Sequence, residues 1–278
     1  MTVEQFIKLA AATLTVSPTP RLDAEALAMH VARLNRAQLI TRAQDALTPE
    51  QEFQLRELLA RRARGEPVAY LTGTREFWSL ELQVTPAVLI PRPETELLVE
   101  RALAHLPVDT ELTVVDLGAG SGAVALAIAR ERPRARVIAT DISEAALTVA
   151  RANAARLGIR NVEFRRGDWF APLAGQRIDV IVSNPPYIAE NDPHLDQGDL
   201  RFEPRAALTP GAEGLEAIRH LARGAPAHLT PNGWLLVEHG YDQGAAVRAI
   251  FETTGFHQMA TRQDLAGLDR VTEGCTRS

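Results

Sequence analysis

Apolar residues in the first 65 positions recur every three or four residues, the spacing of helices that bury one face. The pattern is clearest at Val3, Phe6, Ile7, Ala10 and Leu14, and it returns at Leu27, His30, Val31 and Leu34. Thr48-Pro49-Glu50-Gln51 combines an N-cap, a proline at the first helical position and a capping-box glutamine, so another helix begins there. The sequence therefore predicts a bundle of three or four short helices.

The hydrophobic period changes after the predicted bundle. Alternating apolar residues at 74–84 predict a hairpin, and from about residue 94 strand-like and helical segments alternate, as in a parallel sheet covered on both faces. The strand candidates are 112–116, 136–141, 161–165, 178–183 and 233–238, and the helices are 94–106, 122–132, 143–157, 212–228 and 241–254. Runs near 256–262 and 268–274 predict a closing antiparallel pair. The expected organisation is a helical domain at 1–73, a hairpin linker at 74–93 and an α/β domain at 94–278.

Composition narrows the class of protein. The chain has 278 residues, 46% of them hydrophobic, and a net charge of −5, which makes a polyanionic main partner less expected. Its single cysteine, Cys275, excludes a disulfide framework and a cysteine metal cluster, and the acidic stretch 192–199 lacks the alternating oxygen ligands of a calcium loop. We expect no metal, no membrane span and a cytoplasmic protein.

Glycines mark the turn after the first strand of the α/β domain, in Asp116-Leu117-Gly118-Ala119-Gly120-Ser121-Gly122. Glycine lets a ligand approach the backbone, and the helix that follows directs free N–H groups toward an anion. The second strand ends at Asp141, a carboxylate suited to ribose hydroxyls, and the third is followed by Asp168 and Trp169, which suit an adenine ring. These residues predict a site for a ligand with an adenosine-like part and an anionic end.

The fourth strand runs directly into Asn184-Pro185-Pro186-Tyr187. The prolines fix the backbone and lack N–H donors, so the carbonyl of Pro185 is available to face a cleft. With the side-chain carbonyl of Asn184 it offers two acceptors to a planar NH2 group, against which Tyr187 can pack. Asn184, Pro185 and Tyr187 are therefore predicted to be catalytic, and all four residues to bind substrate.

The glycine turn and Asn184–Tyr187 together resemble the S-adenosylmethionine-dependent methyltransferases that modify planar amino groups. Further segments are similar to the release-factor glutamine methyltransferases: Glu66–Gly73, Glu76–Trp78, Leu89–Glu96, Arg201–Pro204 and Glu238–Gly240. The resemblance implies a seven-stranded, doubly wound α/β sheet that binds S-adenosylmethionine and yields S-adenosylhomocysteine. It implies methylation of the side-chain amide nitrogen, N5, of the Gly-Gly-Gln glutamine in class 1 peptide chain release factors. Gly118 to Gly122, Asp141, Trp169 and Asn184 would then contact the cofactor.

Three other functions compete with this hypothesis. A nucleic-acid amino-group methyltransferase, for example one acting on adenine N6, would use the same four-residue motif but needs a cationic track that the sequence lacks. A nicotinamide-linked oxidoreductase would leave Asn184–Tyr187 unexplained, and the intact motif argues against a non-catalytic cofactor-binding module. We expect a monomer without nucleic acid, in which the helical domain docks the release factor through contacts such as Arg61, Arg62 and Arg64.

Overall fold

The computed structural model describes residues 1–277, which divide into two compact units. The first comprises Met1–Thr74 together with Asp196–Phe202. The second comprises Arg75–Leu195 and the described residues from Glu203 onward. The short segment at 196–202 is therefore separated in sequence from the unit to which it belongs.

The first unit is a helical bundle with one hydrophobic core, which includes Phe6, Leu14, Leu27 and Leu55. Its helices are α1 (Val3–Thr13), α2 (Pro20–Ala32), α3 (Arg36–Thr41), α4 (Pro49–Ala63) and α5 (Val68–Thr72). The capping boxes at Thr2 with Gln5 and at Thr48 with Gln51 are both formed. Two of the five helices, α3 and α5, are so short that hydrophobic spacing did not separate them from loops.

The basic run near the end of α4 is not a uniformly exposed face. Arg62 is only 7% exposed, and its guanidinium donates to Asp23 at 2.7 Å and to Asp199 at 3.0 Å. The prediction that Arg62 contacts a partner protein is therefore wrong, because its charge is used inside the bundle. Arg61 pairs with Glu66, while Arg64 is exposed.

The predicted hairpin is present as β1 (Thr74–Phe77) and β2 (Leu80–Gln83). Its two turn residues, Trp78 and Ser79, have φ angles of 52° and 56°, the left-handed geometry that joins strands with the natural twist. Trp78 tolerates this conformation because hydrogen bonds hold both its backbone and its side chain. Its backbone N donates to Glu96 at 2.8 Å, and its Nε1 donates to Glu131 at 3.1 Å.

The second unit contains a seven-stranded sheet in the order β5-β4-β3-β6-β7-β9-β8. The strands are β3 (Thr113–Leu117), β4 (Arg136–Asp141), β5 (Val162–Arg166), β6 (Ile178–Ser183), β7 (Leu229–Glu238), β8 (His257–Gln263) and β9 (Asp269–Cys275). Strands β3 to β7 pair in parallel, and β9 and β8 close the sheet as an antiparallel pair. The predicted doubly wound sheet is confirmed.

Helices cover both faces of this sheet. They are α6 (Glu96–Ala104), α7 (Ala123–Glu131), α8 (Glu144–Leu157), α9 (Arg205–Leu208), α10 (Glu216–Gly224) and α11 (Gly244–Thr253). Neighbouring residues of β3 belong to opposite layers, with Val114 in one buried cluster and Val115 in the other. The strand order reverses between β3 and β6, and such a reversal opens a crevice at the carboxyl ends of the strands. Within the described residues, no helix is long and apolar enough to cross a membrane.

Candidate active site

The glycine turn between β3 and α7 leaves space above its backbone. Gly118 and Gly120 have φ angles of 81° and 54°, which favour glycine. A Cβ at Gly120 would meet nothing within 4 Å, and one at Gly118 would only approach Trp169 at 3.9 Å. Gly122 differs, since its Cβ would lie 3.1 Å from Leu126. The first two glycines therefore face open space, whereas Gly122 is required for close packing.

Asp141 joins this turn to the loop after β4. Its Oδ2 accepts a hydrogen bond from the backbone N of Gly120 at 2.9 Å, and its Oδ1 accepts one from the backbone N of Ser143 at 2.8 Å. Both oxygens have further lone pairs, and the residue lines the cavity described next. Asp141 therefore shapes the turn as well as offering acceptors to a ligand.

A cavity of about 600 Å³ lies at the carboxyl ends of the parallel strands. Nine of the predicted site residues line it: Gly118, Ala119, Gly120, Ser121, Asp141, Asp168, Trp169, Asn184 and Pro186. Gly122, Pro185 and Tyr187 are not among its lining residues. Trp169 has a φ of 44°, a strained backbone of the kind that proteins retain where a side chain must be aimed at a site.

Sequence reasoning missed a large part of the cavity wall. Thr95 and Leu89 come from the segment before α6, Pro204 and Ala207 from the segment around α9, and Glu216 and His220 from α10. Leu89, Thr95 and Pro204 fall inside segments that carried the family resemblance. Their residue types, however, did not indicate that they line a cavity. Only the fold shows that these distant segments meet.

Arg92 and Glu203 hold two of these segments together. The Arg92 guanidinium donates to Oε1 of Glu203, and Oε2 of the same buried carboxylate accepts from the backbone N of Ile90 at 3.2 Å. Burial of a carboxylate is tolerated when it is paired and hydrogen-bonded in this way. The pair therefore fixes the segment before α6 against the segment that precedes α9.

Asn184 lines the cavity and carries an unpaired acceptor. Its Nδ2 donates to Thr95 Oγ1 at 3.2 Å, while its Oδ1 accepts no hydrogen bond from any residue of the described chain. Pro185 is buried behind it, and its carbonyl is likewise without a hydrogen-bond donor among residues 1–277. The two acceptors expected from the sequence therefore both lack a donor among residues 1–277, but of the two residues that carry them only Asn184 lines the cavity.

Tyr187 is placed behind the cavity wall. Its hydroxyl donates to Glu238 Oε1 at 3.2 Å, and its backbone carbonyl accepts from Gln243 Nε2 at 3.0 Å. Burial raises the pKa of Tyr187, and the charge of Glu238 raises it further. Its suggested packing against a substrate amide stays a prediction.

Two carboxyl groups are buried in this part of the protein: Asp116 lines the cavity, and Glu238 accepts from Tyr187. Burial raises the pKa of Asp116 to about 7, against the opposing hydrogen bond from the backbone N of Ala125. Burial likewise raises the pKa of Glu238 to about 7, although Thr95, Tyr187 and Arg270 stabilise its charged form. No group of three or more acidic, histidine or cysteine side chains suited to a metal occurs within the described residues.

Comparison with known proteins supplies the family. Residues 5–73 match the family model PrmC N-terminal domain, and residues 94–201 match Methyltransferase small domain. A release factor glutamine methyltransferase of Xylella fastidiosa (strain Temecula1) is 56% identical over 266 residues, 96% of each chain. One from Escherichia coli (strain K12) is 48% identical over 274 residues, 99% of each chain.

A solved structure shares the fold alone. It is a 16S rRNA N2 methyltransferase of T. thermophilus in complex with AdoMet and guanosine, which is 20% identical with a TM-score of 0.54. The match covers 73% of this chain and 50% of that one. The sheet and the cavity at its strand ends define an S-adenosylmethionine-dependent methyltransferase. With identity of this degree along nearly its whole length, the chain belongs to the release factor glutamine methyltransferase family.

Proposed function

We propose that this protein transfers the methyl group of S-adenosylmethionine to N5 of the glutamine in the Gly-Gly-Gln motif of class 1 peptide chain release factors. Membership of the family supports this proposal, since its relatives bear that activity in their names. The observation that carries it is the unpaired Oδ1 of Asn184, a residue that lines the cavity. It suits one N–H group of a primary amide, and the neighbouring Pro185 carbonyl, which accepts no hydrogen bond within residues 1–277, would accept the other.

The residues of the cavity fit S-adenosylmethionine. The space above Gly118 and Gly120, which a larger residue would restrict, suits the close approach of a ligand to the backbone. Asp141 keeps lone pairs for ribose hydroxyls, and Asp168 and Trp169 line the same cavity. Acidic side chains also complement a ligand that carries a sulfonium and an ammonium group. We infer that Gly118 to Ser121, Asp141, Asp168, Trp169 and Asn184 hold the cofactor.

The residues of the protein itself orient the substrate amide. S-adenosylmethionine, when bound, supplies an electrophilic methyl group. Asn184 Oδ1 and the Pro185 carbonyl accept the amide N–H groups and so hold the nitrogen with its face toward the donor. Alignment of this kind is worth at most roughly 7–11 kcal/mol.

The same acceptors act on the charge that develops during transfer. They stabilise the positive charge that the amide nitrogen gains as the methyl group arrives. A general base is not required, because the methylated nitrogen is acidic enough to release its proton to water.

We further propose that the helical unit docks the release factor. All described residues that line the cavity belong to the second unit, so the first is free for another role. It exposes five large apolar side chains: Leu9, Val16, Leu22, Ile40 and Phe53. A stable protein interface buries about 1,600 Å², which is more than one glutamine loop offers. That the protein acts as a monomer in the cytoplasm stays a prediction.

The decisive experiment is mass spectrometry of a purified class 1 release factor after incubation with this protein and S-adenosylmethionine. We expect a gain of one methyl group on the peptide that contains Gly-Gly-Gln, and none on a release factor whose glutamine is replaced by alanine. A parallel incubation with RNA and DNA tests the alternative substrate class. Methylation of nucleic acid without methylation of the release factor would overturn the proposal.

A further inference from the structure

Gln243, the residue before α11, connects the turn after β7 to the Asn184–Tyr187 motif. Its Nε2 donates to the backbone carbonyl of Tyr187 at 3.0 Å, and its Oε1 accepts from the backbone N of Gly240 at 2.8 Å. A longer contact of 3.5 Å joins the same Nε2 to the carbonyl of Gly214. Among the described residues, those that line the cavity do not include Gln243. Any effect of Gln243 on a bound substrate therefore passes through the motif.

The two main partners fix the orientation of the Gln243 amide. A backbone N–H group can only donate, and a backbone carbonyl can only accept. A half-turn of the amide would place its oxygen against the Tyr187 carbonyl and its NH2 group against the Gly240 N–H, and both hydrogen bonds would be lost. Glutamine satisfies both partners because it carries a donor and an acceptor on one planar group, whereas an ionised glutamate has no donor for the carbonyl.

The Gly240 peptide, from which Gln243 reaches the motif, is itself held in place. Its carbonyl accepts from the backbone N of Gln243 at 3.0 Å and lies 2.9 Å from Nδ1 of the buried His239. Because a carbonyl only accepts, the ring proton of His239 must be on Nδ1. Burial lowers the pKa of His239, so the ring is neutral and its Nε2 accepts from Thr272 Oγ1 at 2.8 Å.

The motif can transmit a displacement of Tyr187 because its middle is stiff. Its two prolines have φ angles locked near about −65°. Before them, Ser183 Oγ donates to the Leu117 carbonyl at 2.6 Å and fixes the end of β6 to the end of β3. After them, Gln243 holds the Tyr187 carbonyl. The side chain of Asn184 and the peptide carbonyls between these two anchors therefore have little freedom to turn.

Gly214 brings a second piece of backbone close to the same carbonyl. A Cβ at Gly214 would lie 2.5 Å from the Tyr187 carbonyl oxygen and 3.1 Å from the backbone N of Ala189. Its φ angle of 75° also favours glycine. An alanine at this position would push the carbonyl out of its place, which gives a second and independent way to disturb the contact with Gln243.

We propose that Gln243 is a positioning residue for methyl transfer. By holding the Tyr187 carbonyl, it fixes the direction of the two acceptors in the Asn184–Tyr187 motif. For the substrate this inference rests on the proposed function, since acceptors in the motif are needed to hold an amide NH2 group. The contact itself is independent of the substrate, because it joins groups of the protein alone.

The test uses full-length variants. Gln243→Glu keeps the shape and the acceptor but loses the donor to the Tyr187 carbonyl, and Gln243→Met keeps the length and loses both. Gly214→Ala displaces the carbonyl while Gln243 stays intact. Gln263→Met is the matched control, because it makes the same change at an exposed glutamine of β8 that lies outside the cavity wall.

Three measurements are made on each variant. The first is kcat and KM for the release factor at saturating cofactor, with kcat expressed per cofactor-binding site. The second is the affinity and stoichiometry of cofactor binding by calorimetry, which counts the correctly folded molecules. The third is NMR hydrogen exchange of the amides of Ile188 and Glu190, which follow the motif and donate to the carbonyls of Leu208 and Gly211 at 3.0 and 2.9 Å.

We expect both Gln243 variants to lower kcat per site by about 10-fold, the range for losing one or two hydrogen bonds, because misdirected acceptors impair alignment in the transition state. KM and cofactor affinity should change by less than about two-fold, since the docking contacts and the glycine turn are unaltered. The amides of Ile188 and Glu190 should exchange faster. Gly214→Ala should behave like the Gln243 variants, and Gln263→Met like the wild type.

The results separate this inference from the proposed function. If the wild type does not methylate the release factor, the proposed function fails, and the exchange of Ile188 and Glu190 still decides whether Gln243 holds the motif. If the wild type is active but the Gln243 variants keep its kcat per site, the inference is wrong. Activity that falls only in proportion to the number of cofactor-binding sites would also overturn it, because that is the sign of a merely structural role. So would a normal kcat per site in Gly214→Ala.

Discussion

Arg62 and Asp199 form an ion pair at 3.0 Å within the first unit, although 137 residues separate them along the chain. Arg62 belongs to the helical bundle, and Asp199 belongs to the segment that follows the Asn184–Tyr187 motif and rejoins that bundle. The same guanidinium holds Asp23 at 2.7 Å. One buried arginine therefore anchors a segment that the chain reaches only after completing most of the sheet.

Arg62→Ala should destabilise the first unit, because it leaves Asp23 as a buried charge without its partner. Removal of one member of a buried ion pair costs about 3 kcal/mol. Arg64→Ala is the control, since Arg64 lies on the same turn and is exposed. Urea unfolding followed by circular dichroism measures both, and an equal free energy of unfolding for the two variants would contradict the role of Arg62.

Asn184→Ala should nearly abolish methyl transfer while the fold and most of the cofactor affinity remain. The substitution removes the acceptor that faces the cavity but leaves the glycine turn and Asp141 unchanged. Mass spectrometry of the release factor measures the transfer, and calorimetry with S-adenosylmethionine provides the control. Activity within a few-fold of the wild type would refute the assignment of the motif.

Asp141 should show graded effects on cofactor affinity. Asp141→Asn keeps one acceptor oxygen and loses the charge, whereas Asp141→Ala loses both acceptors and frees the backbone N–H groups of Gly120 and Ser143. We therefore expect the wild type to bind most tightly and Asp141→Ala most weakly, with each lost bond worth up to roughly 1.5–3 kcal/mol. Calorimetry gives the order, and unchanged affinity in both variants would place the ribose elsewhere.

The docking proposal predicts a change in KM without a change in kcat. Ile40 and Phe53 are 73% and 63% exposed on the first unit, so replacing both by serine should remove apolar contact without disturbing the core. The lost contacts would stabilise the ground state and the transition state equally, so their removal raises KM and leaves kcat unchanged. Leu265→Ser, an exposed position on the second unit, is the matched control. Wild-type kinetics from the double variant would exclude these two side chains as docking contacts.

Local signals explain why so much of the sheet was predictable. Apolar runs, glycines and N-caps can be recognised from residues that are close together in the sequence. Strands β4 and β6 accordingly have the bounds expected from the sequence. The expected strand at 233–238 begins earlier, at Leu229, because Pro231 and Gly233 obscure its first half. Nine predicted site residues line the cavity because they stand at strand ends, which parallel pairing brings to one edge.

The features that the sequence did not predict depend on contacts between residues that are far apart in the chain. Three arginines within four positions look like an exposed charged face, and only the distant Asp23 and Asp199 reveal why Arg62 is buried. Tyr187 and Glu238 lie 51 residues apart in the chain. Their hydrogen bond depends on the parallel pairing of β6 with β7. No pattern of spacing within one segment encodes such a contact.

The placement of Trp169 gives the protein an optical signal. Of its three tryptophans, all within the described residues, Trp169 alone lines the cavity. Trp234 stacks on His105 with ring centroids 3.9 Å apart, and Trp78 is held by Glu131. Emission from Trp169 should therefore change when a ligand displaces water from its ring, while the other two indoles contribute a constant background. Titration with S-adenosylhomocysteine should alter the intrinsic fluorescence of the wild type and leave that of Trp169→Phe unchanged, and a response in both would mean that the indole in the cavity is not the reporter.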